Sequence, residues 1–400
     1  MKLFCITAVA AISLSATAQT PTSALNTDLA NAANVGTVIT YSNPTSYTPA
    51  FTFFSSSYLN SSPRQFSSTG GYLFYSDSPE TVGSAGNLYR DLIPAGSARV
   101  YLYHVNGTGA AAKVTAVLQN AGAATANVTV TRKVLVTPSS NFLSVGKTGS
   151  QQFYTSSNSP ASFTIPAGSA ALLDSTLDST AVSNGQLLHS IHDYTSDQPL
   201  TVTALLLGSA TNTLTAFGSQ SFVANDANAR EGTYAHCTRE NLTAFNYNTT
   251  DNIKRVRISD GPALNVDVPM PGTDAEAANA SNPLDGNYGV NYKVNFSVTS
   301  GDSRKLAIVV NPRADTYAGY FKVTTPSSTA GQMVPVSGST PVTNSAGVIA
   351  RIDPLTTART ITVEFMPAGA SSLPIEIGLV PYTGTADLAV PVELTELLAY

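Results

Sequence analysis

The chain has 400 residues, a formal net charge of −5 and only 11% charged residues. This charged fraction is less than half of the roughly 25% that is usual in globular proteins. The weakly acidic balance argues against the basic surface that nucleic-acid binding requires, so we expect no nucleic-acid partner. The length predicts two or three domains.

The first 18 residues have the pattern of a secretory signal peptide. Lys2 precedes an apolar run from Leu3 to about Ala16, and the small residues Ala16–Ala18 form a cleavage site before Gln19. The apolar run is shorter than the roughly 20 residues that cross a bilayer, and no later segment reaches that length. We expect a secreted, extracellular or cell-envelope protein from a bacterium, with no membrane span in the mature chain.

Residues 19–80 are rich in Ser, Thr and Tyr but lack the apolar periodicity of an independent core. We predict a leader that partly adds strands to the next domain. Aromatic rings with a polar tip can stack on sugars, which makes five tyrosines candidate ligand-binding residues. Ordinary strand packing is the alternative for these side chains: Tyr41, Tyr47, Tyr58, Tyr72 and Tyr75.

Residues 81–224 alternate apolar and polar side chains in short segments separated by Gly, Pro, Asn or Ser, which predicts an antiparallel β-sandwich. A polar stretch, residues 225–236, is predicted to be a linker. The predicted strands of this first domain are Ala98–Val105, Ala112–Asn120, Ala126–Val136, Ser162–Ile165, Ser169–Ser175, Leu187–Tyr194 and Leu200–Gly208.

Residues 237–400 repeat this style, so the predicted fold is all-β, with two antiparallel Ig-like or jelly-roll-like β-sandwich domains in tandem. No long amphipathic helix is expected outside the signal peptide. The predicted strands of the second domain are Ile253–Ser259, Leu264–Met270, Val290–Val298, Lys305–Pro312, Gly319–Thr325, Thr360–Pro367 and Pro374–Pro381.

The hexapeptide IPAGSA occurs at Ile93–Ala98 and at Ile165–Ala170, and a looser copy, MPAGAS, occupies Met366–Ser371. Pro favours the first inner position of a turn, and Gly accepts the left-handed conformation that follows. We interpret all three copies as turns that join consecutive strands.

The densest group of possible metal ligands is HSIHDYTSD, which contains His189, His192 and Asp193. Residues three apart on a strand face opposite sides, so His189 and His192 are predicted to diverge. We interpret Asp193 and Asp197 as acceptors of backbone amides in the following corner. Asp174 and Asp178 could supply oxygen ligands to calcium, although capping and turn formation are their ordinary roles. We predict no metal and no other cofactor.

No motif for nucleophilic catalysis or phosphate binding is present, and we predict no catalytic residue. Cys237 is the only cysteine after the signal peptide, and a buried structural role is expected for it. Glycoside hydrolysis needs only two suitably spaced carboxyl groups, which no linear motif excludes. The second domain offers such groups at Asp251, Asp260, Asp285 and Glu364.

Several stretches resemble a group of secreted bacterial tandem β-sandwich proteins of unassigned function, in some of which this region follows a domain like the N-terminal one of copper amine oxidases. That domain is not evident here, and the resemblance implies an envelope setting and two linked β-units, without a copper site or catalytic residues. The stretches are Ser76–Glu80, Asn87–Asp91, Tyr101–Thr108, His192–Pro199, Asn287–Val294, Asn311–Gly319 and Phe365–Ile375.

These observations favour a secreted or cell-surface, non-enzymatic protein with a structural or adhesive role. The alternative is a carbohydrate-active protein, either a glycan-binding module or an uncatalogued glycoside hydrolase. Surface glycans or other envelope proteins are the expected partners. Binding predicts a row of exposed aromatic side chains, whereas hydrolysis predicts convergent carboxyl groups in a cleft.

Overall fold

A computed structural model describes the protein over residues 38–40, 58–59, 65–156, 160–251, 253–259, 267–313, 316–326, 328–338 and 345–383. The predicted signal peptide, Tyr41, Tyr47 and Asp260 lie outside these ranges. The protein is mostly β, which confirms the predicted class in its coarse form. Within the described ranges, none of the helices combines the length and the apolarity needed to cross a membrane.

The strands, in chain order, are β1 (Val38–Thr40), β2 (Ser67–Thr69), β3 (Tyr72–Ser76), β4 (Thr81–Val82), β5 (Gly86–Ile93), β6 (Gly96–Asn106), β7 (Ala112–Gln119), β8 (Ala126–Ser139), β9 (Ala161–Ile165), β10 (Ala170–Leu172), β11 (Leu187–Ser196), β12 (Leu200–Gly208), β13 (Glu231–Tyr234), β14 (Thr238–Glu240), β15 (Phe245–Asn248), β16 (Lys254–Ile258), β17 (Gly272–Asp274), β18 (Ala280–Ser281), β19 (Asn291–Thr299), β20 (Lys305–Pro312), β21 (Tyr317–Thr325), β22 (Ser328–Gly338), β23 (Ser345–Ile352), β24 (Arg359–Phe365) and β25 (Ile375–Tyr382). The helices are α1 (Phe142–Thr155), α2 (Ser175–Ser179) and α3 (Thr213–Ala216). Short 3-10 turns occupy Phe217–Ser219, Thr249–Asp251 and Asp285–Asn287.

These strands form four sheets. A four-stranded sheet, β10-β7-β12-β5, faces a nine-stranded sheet in the order β18-β17-β13-β3-β6-β11-β8-β9, with β4 also paired to β6. A five-stranded sheet, β1-β23-β20-β25-β16, faces a seven-stranded sheet in the order β2-β14-β19-β24-β21-β22, with β15 also paired to β19. We call the first pair of sheets unit one and the second pair unit two.

Burial along the strands shows how the units pack. In β19 the side chains of Tyr292, Val294, Phe296 and Val298 are buried and the intervening ones are half-buried, as expected for a strand with one face in a core. In contrast, β6 is buried at nine successive positions, because its sheet is covered on both faces. One face packs on the four-stranded sheet, and the other joins the core of unit two.

Strand pairing departs from the predicted division of the chain. β1 and β2 come from the predicted leader but pair with β23 and β14 of unit two, whereas β3 pairs with β6 of unit one. β17 and β18 follow the predicted linker in sequence, yet they extend the nine-stranded sheet. The sheets are also not purely antiparallel, because β3 runs parallel to β6, and β14 and β15 run parallel to β19. These pairings depend on which strand edges lie next to each other in the folded chain.

The predicted linker, residues 225–236, is partly a strand, since β13 pairs with both β3 and β17. The sequence did not predict this strand, because its polar residues suggested an exposed segment, whereas the charged residue Glu231 is buried there. The predicted strand at Leu264–Met270 is absent over its described residues. There Asp267 turns into the interior and forms an ion pair with Arg239.

The prediction that no long amphipathic helix follows the signal peptide is wrong. Helix α1 has 14 residues, and the side chain of Asn141 accepts a hydrogen bond from Ser144 N at its start. Glycines lower helix propensity by about 1 kcal/mol each relative to alanine, and α1 contains two, Gly146 and Gly149. Both are buried, because α1 lies between the nine-stranded sheet and β21 of unit two.

The first two IPAGSA copies form turns, as predicted. Gly96 and Gly168 have φ angles of +124° and +71°, in the region that glycine tolerates best. Ser169 N donates to Pro166 O at 3.0 Å, which puts Pro166 at the first position of the turn and Gly168 at the third. We predicted proline at the second residue of the turn, but Pro166 occupies the first.

Candidate functional site

A cavity of about 240 Å³ lies where unit one meets unit two. Four tyrosines, two carboxyl groups, one arginine and a loop of small residues line it. The lining residues are Tyr75, Asp77, Glu80, Tyr101, Tyr103, Arg230, Tyr288, Gly369, Ala370, Ser371 and Ser372. We call this space the tyrosine cavity.

The parallel pairing of β3 with β6 builds one wall of the tyrosine cavity. Tyr75 is the direct partner of Tyr101, and Tyr103 follows two residues later on the same face. The rings of Tyr75 and Tyr101 stack with centroids 4.9 Å apart, and those of Tyr101 and Tyr103 with centroids 6.4 Å apart. This stack holds the phenol groups in a fixed row.

Asp77 extends the row from β3 and binds Arg230. Arg230 Nε donates to Asp77 Oδ2 at 2.9 Å, and Arg230 Nη2 donates to Glu80 Oε2 at 2.7 Å. The hydroxyl of Tyr75 donates to the same Oδ2 atom at 3.2 Å. The guanidinium of Arg230 therefore binds both carboxyl groups. One proton on either carboxyl group would bring the net charge of Arg230, Asp77 and Glu80 to zero.

Two buried polar atoms in this wall lack hydrogen-bond partners, namely Asp77 Oδ1 and the hydroxyl oxygen of Tyr103. The two residues are only 4% and 3% exposed. A buried polar group without a partner costs about 1–3 kcal/mol, and most such groups in native proteins are satisfied. Among the described residues that line the cavity, these are the two buried side-chain atoms without a hydrogen-bond partner.

Burial dominates the electrostatics of the cavity. It raises the pKa of Asp77 to about 8, even though the charge of Arg230 acts in the opposite direction. It also raises the pKa of Tyr288 to about 12 and that of Tyr103 further. At neutral pH the cavity therefore presents neutral phenols and a protonated Asp77 carboxyl group, which can both donate and accept hydrogen bonds.

The opposite wall is the third copy of the repeated hexapeptide, which lies between β24 and β25. Gly369 packs on the ring of Tyr103, and a Cβ atom there would lie 2.3 Å from a ring carbon. The hydroxyl of Tyr288 donates to Ser371 O at 2.5 Å. The MPAGAS copy is a turn, in which Ser371 N donates to Ala368 O at 3.2 Å, but Ala370, with a φ of +60°, takes the left-handed position that was predicted for the glycine. This turn is also a wall of the cavity, which its similarity to the other copies did not indicate.

Of the five predicted ligand-binding tyrosines, Tyr41 and Tyr47 lie outside the described residues, and of the three that are described only Tyr75 lines the tyrosine cavity. Tyr58 donates to Glu376 Oε1 at 2.8 Å, and the guanidinium of Arg255 covers its ring at 4.4 Å. Tyr72 is half-buried beside a separate surface depression. The predicted row of exposed rings is therefore not found among the described members of this set.

The structure separates the predicted metal ligands. His189 Nδ1 lies 3.2 Å from Leu102 O, with its ring between α1 and β6. His192 points to the opposite face, where its Nε2 lies 3.1 Å from Asp174 Oδ2, so the two imidazoles diverge as predicted. Asp193 forms an ion pair with Arg99 at 2.7 Å, which corrects its predicted role as an acceptor of backbone amides.

The two carboxylates considered for calcium are also engaged. Asp174 accepts from Thr176 N at 3.0 Å at the start of α2 and binds Lys133 at 3.2 Å. Asp178 binds Lys113 at 3.0 Å and the hydroxyl of Thr213. Across the part of the chain that the structure describes, no three His, Cys, Asp or Glu side chains converge as a metal site would require.

One serine–histidine contact was not anticipated from the sequence. Ser76 Oγ lies 2.9 Å from His104 Nε2, and His104 Nδ1 lies 3.0 Å from Pro79 O. Both residues are fully buried, and burial lowers the pKa of His104 to about 4. A substrate cannot reach this pair, so it stabilises the fold and does not form a catalytic dyad.

Sequence reasoning missed most of the tyrosine cavity. Asp77, Tyr101 and Tyr288 fall in stretches that carry the family resemblance, but nothing in the sequence brings them together. Arg230 lies in a polar stretch interpreted as a linker. The two-residue alternation in β6 places Tyr101 and Tyr103 on one face, and this is the part of the cavity that the sequence could have indicated.

Comparison with known proteins identifies no family for this chain. No family model and no curated protein matches it. Among solved structures, the CUB1-EGF-CUB2 domain of human MASP-1/3 has a TM-score of 0.20 and 8% identity, covering 73% of this chain and 99% of that one. The insecticidal δ-endotoxin Cry8Ea1 of Bacillus thuringiensis has a TM-score of 0.19 and 12% identity over 70% of this chain and 44% of its own. The exported PBSX protein XepA has a TM-score of 0.16 and 12% identity over 74% of this chain and 86% of its own. These scores are too low to transfer a fold or a function.

Proposed function

We propose that this chain is a secreted or cell-surface, non-enzymatic adhesive protein, built from two β-sandwich domains in tandem, that binds a neutral glycan unit in the tyrosine cavity. The observation that carries the proposal is the pair of buried, unpartnered atoms in that cavity, Asp77 Oδ1 and the Tyr103 hydroxyl. A sugar hydroxyl both donates and accepts, so it can satisfy either atom. Surface glycans are therefore the proposed partners.

The charge of the cavity supports a neutral ligand. Two nitrogen atoms of Arg230 already donate to Asp77 and Glu80, at 2.9 and 2.7 Å. The raised pKa of Asp77 leaves no surplus charge in this trio at neutral pH. An anionic ligand would compete with Glu80 for Arg230, whereas a polyhydroxylated neutral ligand needs only hydrogen bonds.

The same contacts support binding over catalysis. A glycosidase places one carboxyl group as an acid and a second as a nucleophile or base, about 5 to 10 Å apart and on either side of the scissile bond. Here both cavity carboxyl groups are engaged by one guanidinium. An uncatalogued glycoside hydrolase is the alternative, and release of reducing ends from a bound glycan would establish it.

A glycan array probed with the secreted protein and its Tyr103→Phe variant tests the proposal. We expect selective binding of neutral glycans and an affinity about fivefold lower in the variant, since one hydrogen bond contributes roughly 1 kcal/mol. Because the Tyr103 hydroxyl lacks a protein partner, its removal is expected to leave thermal stability unchanged or slightly higher.

Tyr194→Phe is the matched control, because the Tyr194 hydroxyl is also buried and unpartnered but lies outside the cavity lining. This variant should bind as the unmodified protein does. Equal affinity of the Tyr103→Phe and Tyr194→Phe variants for every bound glycan, or a blank array, would contradict the proposal.

We also propose that residues 1–18 are removed during export, in keeping with the envelope setting implied by the family resemblance. N-terminal sequencing of the protein from a bacterial culture medium should then begin at Gln19. A variant carrying both Ala16→Asp and Ala18→Asp should keep its leader, because the cleavage site needs small residues. Recovery of a chain that still begins at Met1 from the unmodified gene would refute the export proposal.

A further inference from the structure

A second cavity, of about 320 Å³, shares its borders with the tyrosine cavity. Arg230 lines both spaces. The loop from Pro283 to Tyr288 also lines both, with Pro283, Leu284 and Asp285 on the second cavity and Tyr288 on the first. The shared residue Arg230 and the common loop place the two cavities next to each other.

The second cavity has a rigid frame and a polar lining. Asn282 Nδ2 donates to Ala229 O at 2.9 Å and to Glu231 O at 2.7 Å, which fixes the loop to β13 and to the residues before it. Asn228 and Asp285 add exposed polar side chains. Tyr234 also lines the cavity, but it is only 1% exposed and serves as packing behind the polar lining.

The sizes of the two cavities suggest how they are used. Sites for complete small ligands usually enclose about 300–1,000 Å³. The tyrosine cavity, at about 240 Å³, is below that range, and the second, at about 320 Å³, is at its lower end. Each cavity alone suits a single unit of a ligand, whereas the two together suit a ligand of at least two linked units.

We infer that the two cavities are adjacent subsites of one groove that crosses Arg230 and takes a neutral oligosaccharide chain. This inference rests on the proposed function. The tyrosine cavity holds one sugar unit through Asp77 and Tyr103, and the next unit lies against Asn228, Asn282 and Asp285. The charge of Arg230 is balanced by Glu80, while the Asp77 carboxyl group only accepts a hydrogen bond from it, so Arg230 separates the units without attracting an anion.

Affinities for neutral sugar ladders test the inference. The probes are mono- to hexasaccharides of glucose, mannose, galactose and N-acetylglucosamine, titrated into the full-length secreted protein. For the sugar that binds, we expect the disaccharide to bind at least about tenfold more tightly than the monosaccharide, because it contacts both subsites.

A variant that fills only the second cavity sharpens the test. Asn228→Trp adds bulk there and preserves the backbone hydrogen bond from Asn228 N to Asp226 Oδ1. It should remove the gain from the second sugar unit and leave monosaccharide affinity unchanged. Ala123→Trp, in the exposed turn between β7 and β8, is the matched control and should keep the full gain.

The outcomes separate the inference from the proposed function. Equal affinity for monosaccharides and longer chains, unaffected by Asn228→Trp but weakened by Tyr103→Phe, overturns the two-subsite groove and leaves glycan binding in place. Binding of no ladder member overturns both.

Discussion

Replacing Gly146 by alanine is expected to lower the free energy of unfolding by about 3 kcal/mol. A Cβ atom at this position would lie 1.9 Å from Gly369 O and 2.6 Å from Gly369 C. Those neighbours are backbone atoms of the cavity wall, which cannot rotate away, so α1 or the wall must shift. Chemical denaturation monitored by circular dichroism measures the loss.

Whether Gly146→Ala stabilises or destabilises the protein distinguishes the effect of packing from that of helix propensity. Alanine is the better helix former by about 1 kcal/mol, so propensity alone predicts that Gly146→Ala stabilises the protein. Gly168→Ala is the control, because a Cβ atom at Gly168 meets nothing within 4 Å and only the φ angle of +71° is unfavourable. It should cost roughly 1 kcal/mol. A Gly146→Ala variant as stable as the unmodified protein would show that α1 does not approach the wall this closely.

The stability of the protein is expected to fall on the alkaline side between pH 6.5 and 8. Burial raises the pKa of Asp77 to about 8, and burial likewise raises the pKa of Glu231 to about 8. Unfolded carboxyl groups titrate near pH 4, so above that pH the folded state retains protons that the unfolded state has released. The stabilisation from these two groups is complete below about pH 4 and is lost as the pH rises to about 8.

Two buried histidines produce the opposite slope at lower pH. Burial lowers the pKa values of His104 and His189 to about 4, from an unfolded value near 6.5. Their contribution is complete above pH 6.5 and is lost as the pH falls to about 4. From about pH 4.5 to 6.5 the slopes of the carboxyl groups and the imidazoles offset each other, which predicts a plateau. Of these four groups, Asp77 and Glu231 are the ones that dominate the slope above pH 6.5.

Denaturation at a series of pH values checks this profile. A fully titrating group changes the free energy of unfolding by about 1.4 kcal/mol per pH unit, so a loss of about 2 kcal/mol or more is expected between pH 6.5 and 8. The double variant Asp77→Asn and Glu231→Gln should flatten that limb, and Asp285→Asn, at an exposed carboxyl group, should retain it. If the double variant still loses stability between pH 6.5 and 8, other titrating groups cause that loss.

The sequence by itself determined the mostly β class and many of the strands. The two-residue alternation that predicted Ala98–Val105, Ala112–Asn120 and Leu187–Tyr194 corresponds to β6, β7 and β11. It also predicted that His189 and His192 diverge. These features depend on the strand's own period, which any local window of sequence contains.

Tertiary structure alone decided the helix and the cavity. Helix α1 carries two glycines that disfavour a helix, and it is stable because those glycines let its backbone approach His189 and Gly369. The cavity combines Tyr75, Arg230 and Gly369, which are brought together by parallel pairing, by a strand in a polar segment and by contact between the units. Such contacts depend on which strand edges and faces meet in space, and local sequence patterns do not encode that choice.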